Sequence, residues 1–215
     1  MTGPVVSRRA TGYGAQVMLQ NSPRRHAAVL ALSVAALLAA AGPVRARERL
    51  LVPELPGWTV ADTHADPVAE VTELVPSGQT SDTWTRRLTV QAFIGSPMSA
   101  GEFLDGLAPH TAEVCEGFLA GPVVPAASPG VEGGRRTITC GKYRGDGRGS
   151  VTLFYVLRGK SALFVLARAW RGDPFKPDAS PVDPAELAEW NALFDGVRLC
   201  DTEDPARPCP QGAQP

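Results

Sequence analysis

The chain has 215 residues, 44% hydrophobic and 20% charged, with 21 Lys and Arg against 22 Asp and Glu. Residues 1–46 hold five of the arginines and no acid, which leaves 16 basic and 22 acidic groups, a net charge of −6, on residues 47–215. This balance excludes a nucleic-acid surface, because Arg86-Arg87 and Arg135-Arg136 are separate doublets rather than the clustered positive stripe that phosphates require.

Residues 27–41 read AAVLALSVAALLAAA, preceded by Arg24-Arg25 and followed by a small-residue exit at Val44-Arg45-Ala46. A basic start, a short apolar run and a small-residue exit are the pattern of a secretory leader. The run is too short to span a bilayer comfortably, which takes about 20 apolar residues; the competing reading is an uncleaved anchor held by the basic cluster after it. Counting back, Met18 starts a leader of ordinary length, so 1–17 read as a start-site extension, 18–46 as the signal peptide, and Arg47 as the expected mature N-terminus. Residues 47–200 suit a single domain, with a Pro-rich tail over 201–215.

The prolines at 53 and 56 keep the domain's first segment from being helical. Strands are expected at Trp58–Ala61, Ala69–Val75 and Trp84–Ile94; in the last, Leu88, Val90, Ala92 and Ile94 alternate with Thr89, Gln91 and Phe93. Ser99 followed by Glu102 forms a capping box that starts a helix with Phe103, Leu104, Leu107 and Val114 along its stripe, and Pro109 predicts a kink or break within it. A Pro- and Gly-rich connection leads to a meander of three strands, Gly134–Tyr143, Ser150–Leu157 and Ser161–Ala169, joined by hairpins whose glycines are expected to supply positive φ. The last two are apolar on both alternating sets, so both their faces are expected to be covered. A second helix is expected over 184–196, with Asp183 as N-cap, Pro184 at the first position, and Leu187, Trp190, Leu193, Phe194 and Val197 buried. Together these elements predict an α+β fold, an antiparallel sheet with two main helices packed on it.

Four cysteines follow the leader, an even number suited to pairing in an oxidising compartment. Three pairings are open. Cys200 and Cys209 flank the turn-rich stretch DTEDPARP, which closes readily and leaves Cys115 and Cys140 for each other. No C-x-x-C spacing supports a metal or redox site in their place.

This order of elements, from Leu55 to Leu199, resembles the PsbP-like α/β sandwich of many exported bacterial proteins. The strings Glu73-Leu74-Val75-Pro76, Trp84-Thr85, Leu88-Thr89-Val90-Gln91 and Ala169-Trp170-Arg171 are similar to those of exported bacterial domains without an assigned reaction. The resemblance implies a non-catalytic role.

Chemistry-bearing residues are sparse. Asp62, His64 and Asp66 alternate along an extended segment and form the best ligand cluster, but without a fourth ligand a polar loop before Pro67 is the better reading. His110 follows Pro109, where a surface role suffices. Ser99, Ser150 and Ser161 lack a nucleophile-elbow context, and two histidines after the leader supply a triad poorly. Glu70 with Glu73, and Glu113 with Glu116, read as solvated charges rather than acid–base pairs. The glycines at 145, 147 and 149 lie between expected strands, so a hairpin is the better reading than a phosphate loop. Trp84, Trp170 and Arg171 are the candidate partner surface: aromatics at strand ends close cores, yet a Trp and an Arg projecting together at a sheet edge also suit a partner. The expectation is an exported, periplasmic or secreted accessory protein that binds an envelope protein or a small ligand. It uses no cofactor or metal and meets the membrane only transiently through its signal peptide. The rival reading is an envelope hydrolase with its site near Asp62, His64 and Asp66.

Overall fold

Among the described residues there are ten strands, most of them built on alternating apolar side chains, and two helices. The computed structural model describes residues 48–126 and 130–210. The extension at 1–17, the leader at 18–46, Arg47 and the end of the tail lie outside the described residues. In chain order the elements are β1 (Glu48–Leu51), β2 (Trp58–Ala65), β3 (Ala69–Pro76), β4 (Arg86–Ile94), α1 (Ala100–Val114), β5 (Cys115–Ala120), β6 (Val124–Pro125), β7 (Glu132–Tyr143), β8 (Gly149–Arg158), β9 (Ala162–Gly172), α2 (Pro184–Gly196) and β10 (Arg198–Asp201). The fold is α+β: the main sheet is antiparallel in the order β2-β3-β4-β9-β8-β7-β5, with β6 also on β7, and both helices pack on it.

The two sheet faces are covered differently. On one, Leu88, Leu153, Tyr155, Phe164 and Leu166 are buried against Trp190 and Phe194 of α2, with Tyr155 and Phe194 stacked at 5.3 Å between ring centroids. Asp183 caps α2, its Oδ1 accepting from the Ala185 amide at 2.7 Å. Glu186 in the first turn meets Arg86 of β4 as a two-pronged pair, one contact at 2.8 Å. On the other face, Ala100 and Leu104 of α1 pack with Val156, Leu163 and Val165. Past Ala167 and Thr152, Trp84 covers Ala169 and Val75, and the rest of that face borders a cleft. Both faces of β8 and β9 were expected to be covered. The second face is covered over only half, because one helix of 15 residues, about 22 Å long and about 10 Å wide, is smaller than the face.

Pro109 does not break α1. The helix runs unbroken from Ala100 to Val114. Proline removes the donor to the Asp105 carbonyl, but Asp105 and Pro109 both lie on the exposed side, where water satisfies that group. Sequence also missed β1 and β5. The first pairs with β10, bringing Glu48 opposite Asp201. The second pairs with β7 in an unshifted register across Gly117, whose φ is 71°. In the hairpins, Gly147 is left-handed with φ 75°, whereas Gly159 is not and instead makes room, since a Cβ there would fall 2.5 Å from the Glu48 carboxylate.

Two disulfides join Cys115 to Cys140 and Cys200 to Cys209. The first ties the start of β5 to β7. The second closes the tail, which is more engaged than its composition suggests: the Asp201 amide donates to the Arg207 carbonyl at 2.7 Å, and Arg207 reaches the buried Glu48 at 3.6 Å. Glu48 in turn accepts from the amide and hydroxyl of Ser161 at 2.8 and 3.0 Å.

Arg168 of β9 lies in the core at 8% exposure, its guanidinium 3.9 Å from the Trp58 ring and 5.5 Å from that of Trp190. Its Nη1 is buried without a protein acceptor, and burial pushes its pKa down to about 10. Ring contacts offset only part of the desolvation of such a cation. Arg168→Met is therefore expected to leave the unfolding free energy unchanged or raise it by about 1–2 kcal/mol, read from urea denaturation; a loss of stability would show that the ring contacts dominate.

The cap of α1 gives a pH prediction. Glu102 accepts from the Ser99 amide at 2.8 Å, and the Ser99 hydroxyl oxygen accepts from the Glu102 amide at 3.1 Å. The bond from the Ser99 amide, and then that from its hydroxyl, hold the Glu102 carboxyl below its ordinary value. A lowered carboxylate stabilises the fold above its unfolded pKa, and this contribution is lost as pH falls through the folded one. Glu102→Gln is thus expected to be less stable than the parent at neutral pH, with the gap closing in denaturation curves taken below about pH 4.

Candidate functional site

The uncovered half-face is a cleft of about 490 Å³. Its floor follows from strand register. Thr89 of β4 lies beside Ala167 of β9, which lies beside Phe154 of β8; one step further come Arg87, Ala169 and Thr152, and then Arg171 with Ser150. Antiparallel partners share a face, so these side chains form one surface. In β4, β8 and β9 alike, that surface changes from large apolar residues under α1 (Phe93, Val156, Leu163, Val165) to small or polar ones beyond it. Among the described residues, the side chains of Thr89, Gln91, Ser150 and Thr152 make no hydrogen bond, which leaves a row of polar groups facing the cleft.

One wall is the segment before β4. Gln79 accepts from the Thr85 amide at 2.7 Å, Thr83 accepts from the Thr80 amide at 3.0 Å, and the Trp84 amide donates to the Thr80 carbonyl at 3.1 Å. These bonds set Trp84, 6% exposed, beneath the guanidiniums of Arg87 and Arg171 at 4.3 and 4.2 Å from its ring. Arg87 is paired with Glu73 at 2.8 Å. Arg171 donates to the carbonyls of Trp84 at 3.2 Å and Asp82 at 2.7 Å, and stands 3.8 Å from Asp146.

The opposite wall is the β7–β8 hairpin, which carries Tyr143, Asp146 and Arg148 to the cleft. The Arg148 amide donates to Asp146 at 3.0 Å, but the Arg148 side chain is exposed and, among the described residues, has no hydrogen-bond or ion-pair partner. Burial, and after it the charge of Arg148, pushes the Arg171 guanidinium below its ordinary pKa. Three cations thus meet two carboxylates in the cleft, a local excess of positive charge on an otherwise acidic domain.

The candidate partner residues divide between the two faces. Trp84 and Arg171 line the cleft together, whereas Trp170 projects to the opposite face and meets Phe175 edge-on at 5.7 Å. Alternation along β9 separates Trp170 from Arg171, and β9 is a central strand, so the two do not project together at a sheet edge. Asp62, His64 and Asp66 lie on the exposed edge strand β2 and its turn, outside the cleft. His64 is 3.4 Å from Asp66, whose other oxygen accepts from the amides of Val68 and Ala69 at 2.8 and 2.7 Å. Those amides first, and His64 after them, hold the Asp66 carboxyl below its ordinary value. Asp66, with His64 beside it, closes the β2–β3 turn, whereas Asp62 sits within β2 and accepts from the Thr63 amide. Among the described residues no group of three His, Cys, Asp or Glu side chains is placed to hold a metal.

Glu70 and Glu73 fall on opposite faces of β3, and only Glu73 reaches the cleft. Glu113 is exposed on α1, Glu116 pairs with Lys142 at 2.9 Å, and His110 is exposed. Sequence reasoning passed over Arg87, Thr89, Gln91, Ser150, Thr152 and Arg148 as site residues. The signal available was the mid-strand switch in side-chain size, which identifies one surface only when the strands are aligned.

No family model matches this chain, and no curated protein sequence matches it. Among solved structures, it is similar to LpqN of Mycobacterium tuberculosis, a protein described as involved in cell envelope biogenesis, at 15% identity and a TM-score of 0.36 over 71% of this chain and 83% of that one. No helix among the described residues is long and apolar enough to cross a membrane.

The Arg171 brace has a measurable consequence. Arg171→Ala removes the charged donor to the Asp82 and Trp84 carbonyls, a loss of about 1–3 kcal/mol. Hydrogen exchange in a peptide spanning 79–85 is expected to accelerate while exchange in α2 stays at the parent rate; unchanged protection at 79–85 would mean that the Gln79 and Thr83 bonds suffice.

Proposed function

We propose that this chain is an exported, periplasmic or secreted accessory protein of the PsbP-like kind, which binds an envelope ligand or partner non-catalytically in the half-open sheet face between Trp84 and the β7–β8 hairpin. The observation that carries this reading is the cleft of about 490 Å³, in which hydroxyl and amide side chains and one guanidinium have no partner among the described residues. Concave sites of 300–1,000 Å³ with a few convergent polar groups are where small ligands bind. The rigid floor suits recognition, since three central strands set its side chains before anything binds. Export is supported by the leader pattern over 18–46 and by the two disulfides, which persist in oxidising compartments. Binding rather than reaction is supported by the cleft's chemistry: its serine and threonine hydroxyls have no imidazole beside them, and its carboxylates face arginines.

Native mass spectrometry of the protein isolated from its own cells tests this. The exported form is expected to begin at Arg47 and to carry a bound species that is lost in Thr152→Trp, which fills the floor, and in Ser150→Phe as a second filler, both checked for a retained melting temperature. Retention of the bound mass in correctly folded fillers, or recovery of the whole chain reduced and leader-bearing in the cytoplasm, would sink the proposal.

A further inference from the structure

The cleft is graded in polarity along the strands, and this grading specifies what it takes. At its hairpin end stand Arg148, Arg171, Asp146 and Ser150. At its inner end Phe154 belongs both to the cleft lining and to the apolar cluster of α1, where it joins Phe93, Phe103 and Leu107. Between the ends lie Ala167 and Ala169 of β9, of which Ala169 is packed beneath Trp84 and Ala167 is the more open. Ser150 and Phe154 are four residues apart on β8, about 13 Å at strand rise, so a cationic end and an apolar end face each other across the length of a medium-chain molecule.

Charge decides the head group. Glu73 is engaged by Arg87 at 2.8 Å, whereas Asp146 meets Arg171 only at 3.8 Å and leaves Arg148 without a side-chain partner. The cation to be satisfied therefore lies at the solvent-open end, where a charged head enters while a tail goes inward. From this we infer that the ligand of the cleft is an anionic amphiphile, a carboxylate with a medium-length acyl or aryl tail, its head on Arg148 and Arg171 and its tail past Thr152 and Ala167 toward Phe154. The assignment rests on the cleft being the binding site proposed above and goes further by naming the class of ligand. A head held by an exposed arginine implies binding that weakens with salt, and a tail against Phe154 implies binding that strengthens with each added methylene.

Calorimetric titration with decanoate, decanol and acetate separates head from tail. Decanoate is expected to bind one to one, decanol roughly tenfold more weakly or worse, and acetate below detection, the first difference being that of one charge-assisted hydrogen bond. Arg148 is an exposed loop side chain without partners, so Arg148→Gln is expected to keep the parental melting temperature, to bring decanoate down to the level of decanol, and to leave decanol unchanged, whereas Arg148→Lys retains most of the affinity. Equal binding of decanol and decanoate, indifference to Arg148→Gln, or no binding of decanoate at all would each overturn the assignment. If decanoate fails while Thr152→Trp still strips the native bound mass, the cleft remains the binding site and only the amphiphile falls. If that mass also survives in the fillers, the site itself falls.

Discussion

A single helix is too small for the face it covers, and most of this molecule's character follows from that mismatch. Seven strands about 4.8 Å apart make a sheet roughly 30 Å across, while α1 is about 10 Å wide. On the α2 side the connecting segments and the β1–β10 pair help the helix to close the core, with Leu50, Val52, Leu55 and Leu199 joining Trp190 and Phe194. The α1 side is supplemented only by Trp84, which packs on Ala169 and Val75, so part of the sheet beyond Val165 borders water. Its side chains are accordingly small or polar there, since large apolar groups left exposed would form an adhesive patch.

The open half-face is fastened on both sides. Arg87 and Arg171 rise from adjacent strands and hold the Trp84 ring between the sheet and the preceding segment. The Cys115–Cys140 link secures β5 to β7 near the hairpin that carries Arg148. Both walls of the cleft are thus fastened to strands, and a rigid frame lowers the ordering cost of binding. Around the chain ends the same economy recurs. Glu48 is buried and would be costly as a carboxylate without donors, yet Ser161 supplies two and Arg207 from the disulfide-closed tail stands near. The β1 strand and the disulfide-closed segment thereby stabilise each other.

Much of the fold was legible in local pattern. The period-two alternation of β4, the capping box at Ser99, the Asp183-Pro184 start of α2 and the turn-rich interval between Cys200 and Cys209 are short-range signals, and the structure contains each. Local pattern failed where a partner far along the chain decided the outcome. Four residues of β1 form a strand because β10, some 150 residues later, supplies the ladder. Gly159 looked like a turn glycine but is required by the proximity of Glu48. Pro109 suggested a break, but its position on the solvent side of α1 let the helix continue.

The sequence by itself determined both helices and the strands β2–β4 and β7–β9, with the caps and turns that punctuate them, and that β8 and β9 lie at the centre, because these depend on residues within a few positions of one another. Only the tertiary structure decided that Trp170 and Arg171 part to opposite faces, that Arg87, Ala169 and Thr152 stand in one row, and that the row lies open beside Arg148. Register and helix placement bring together side chains from β4, β8 and β9, and such a site exists only once strands distant in sequence have paired.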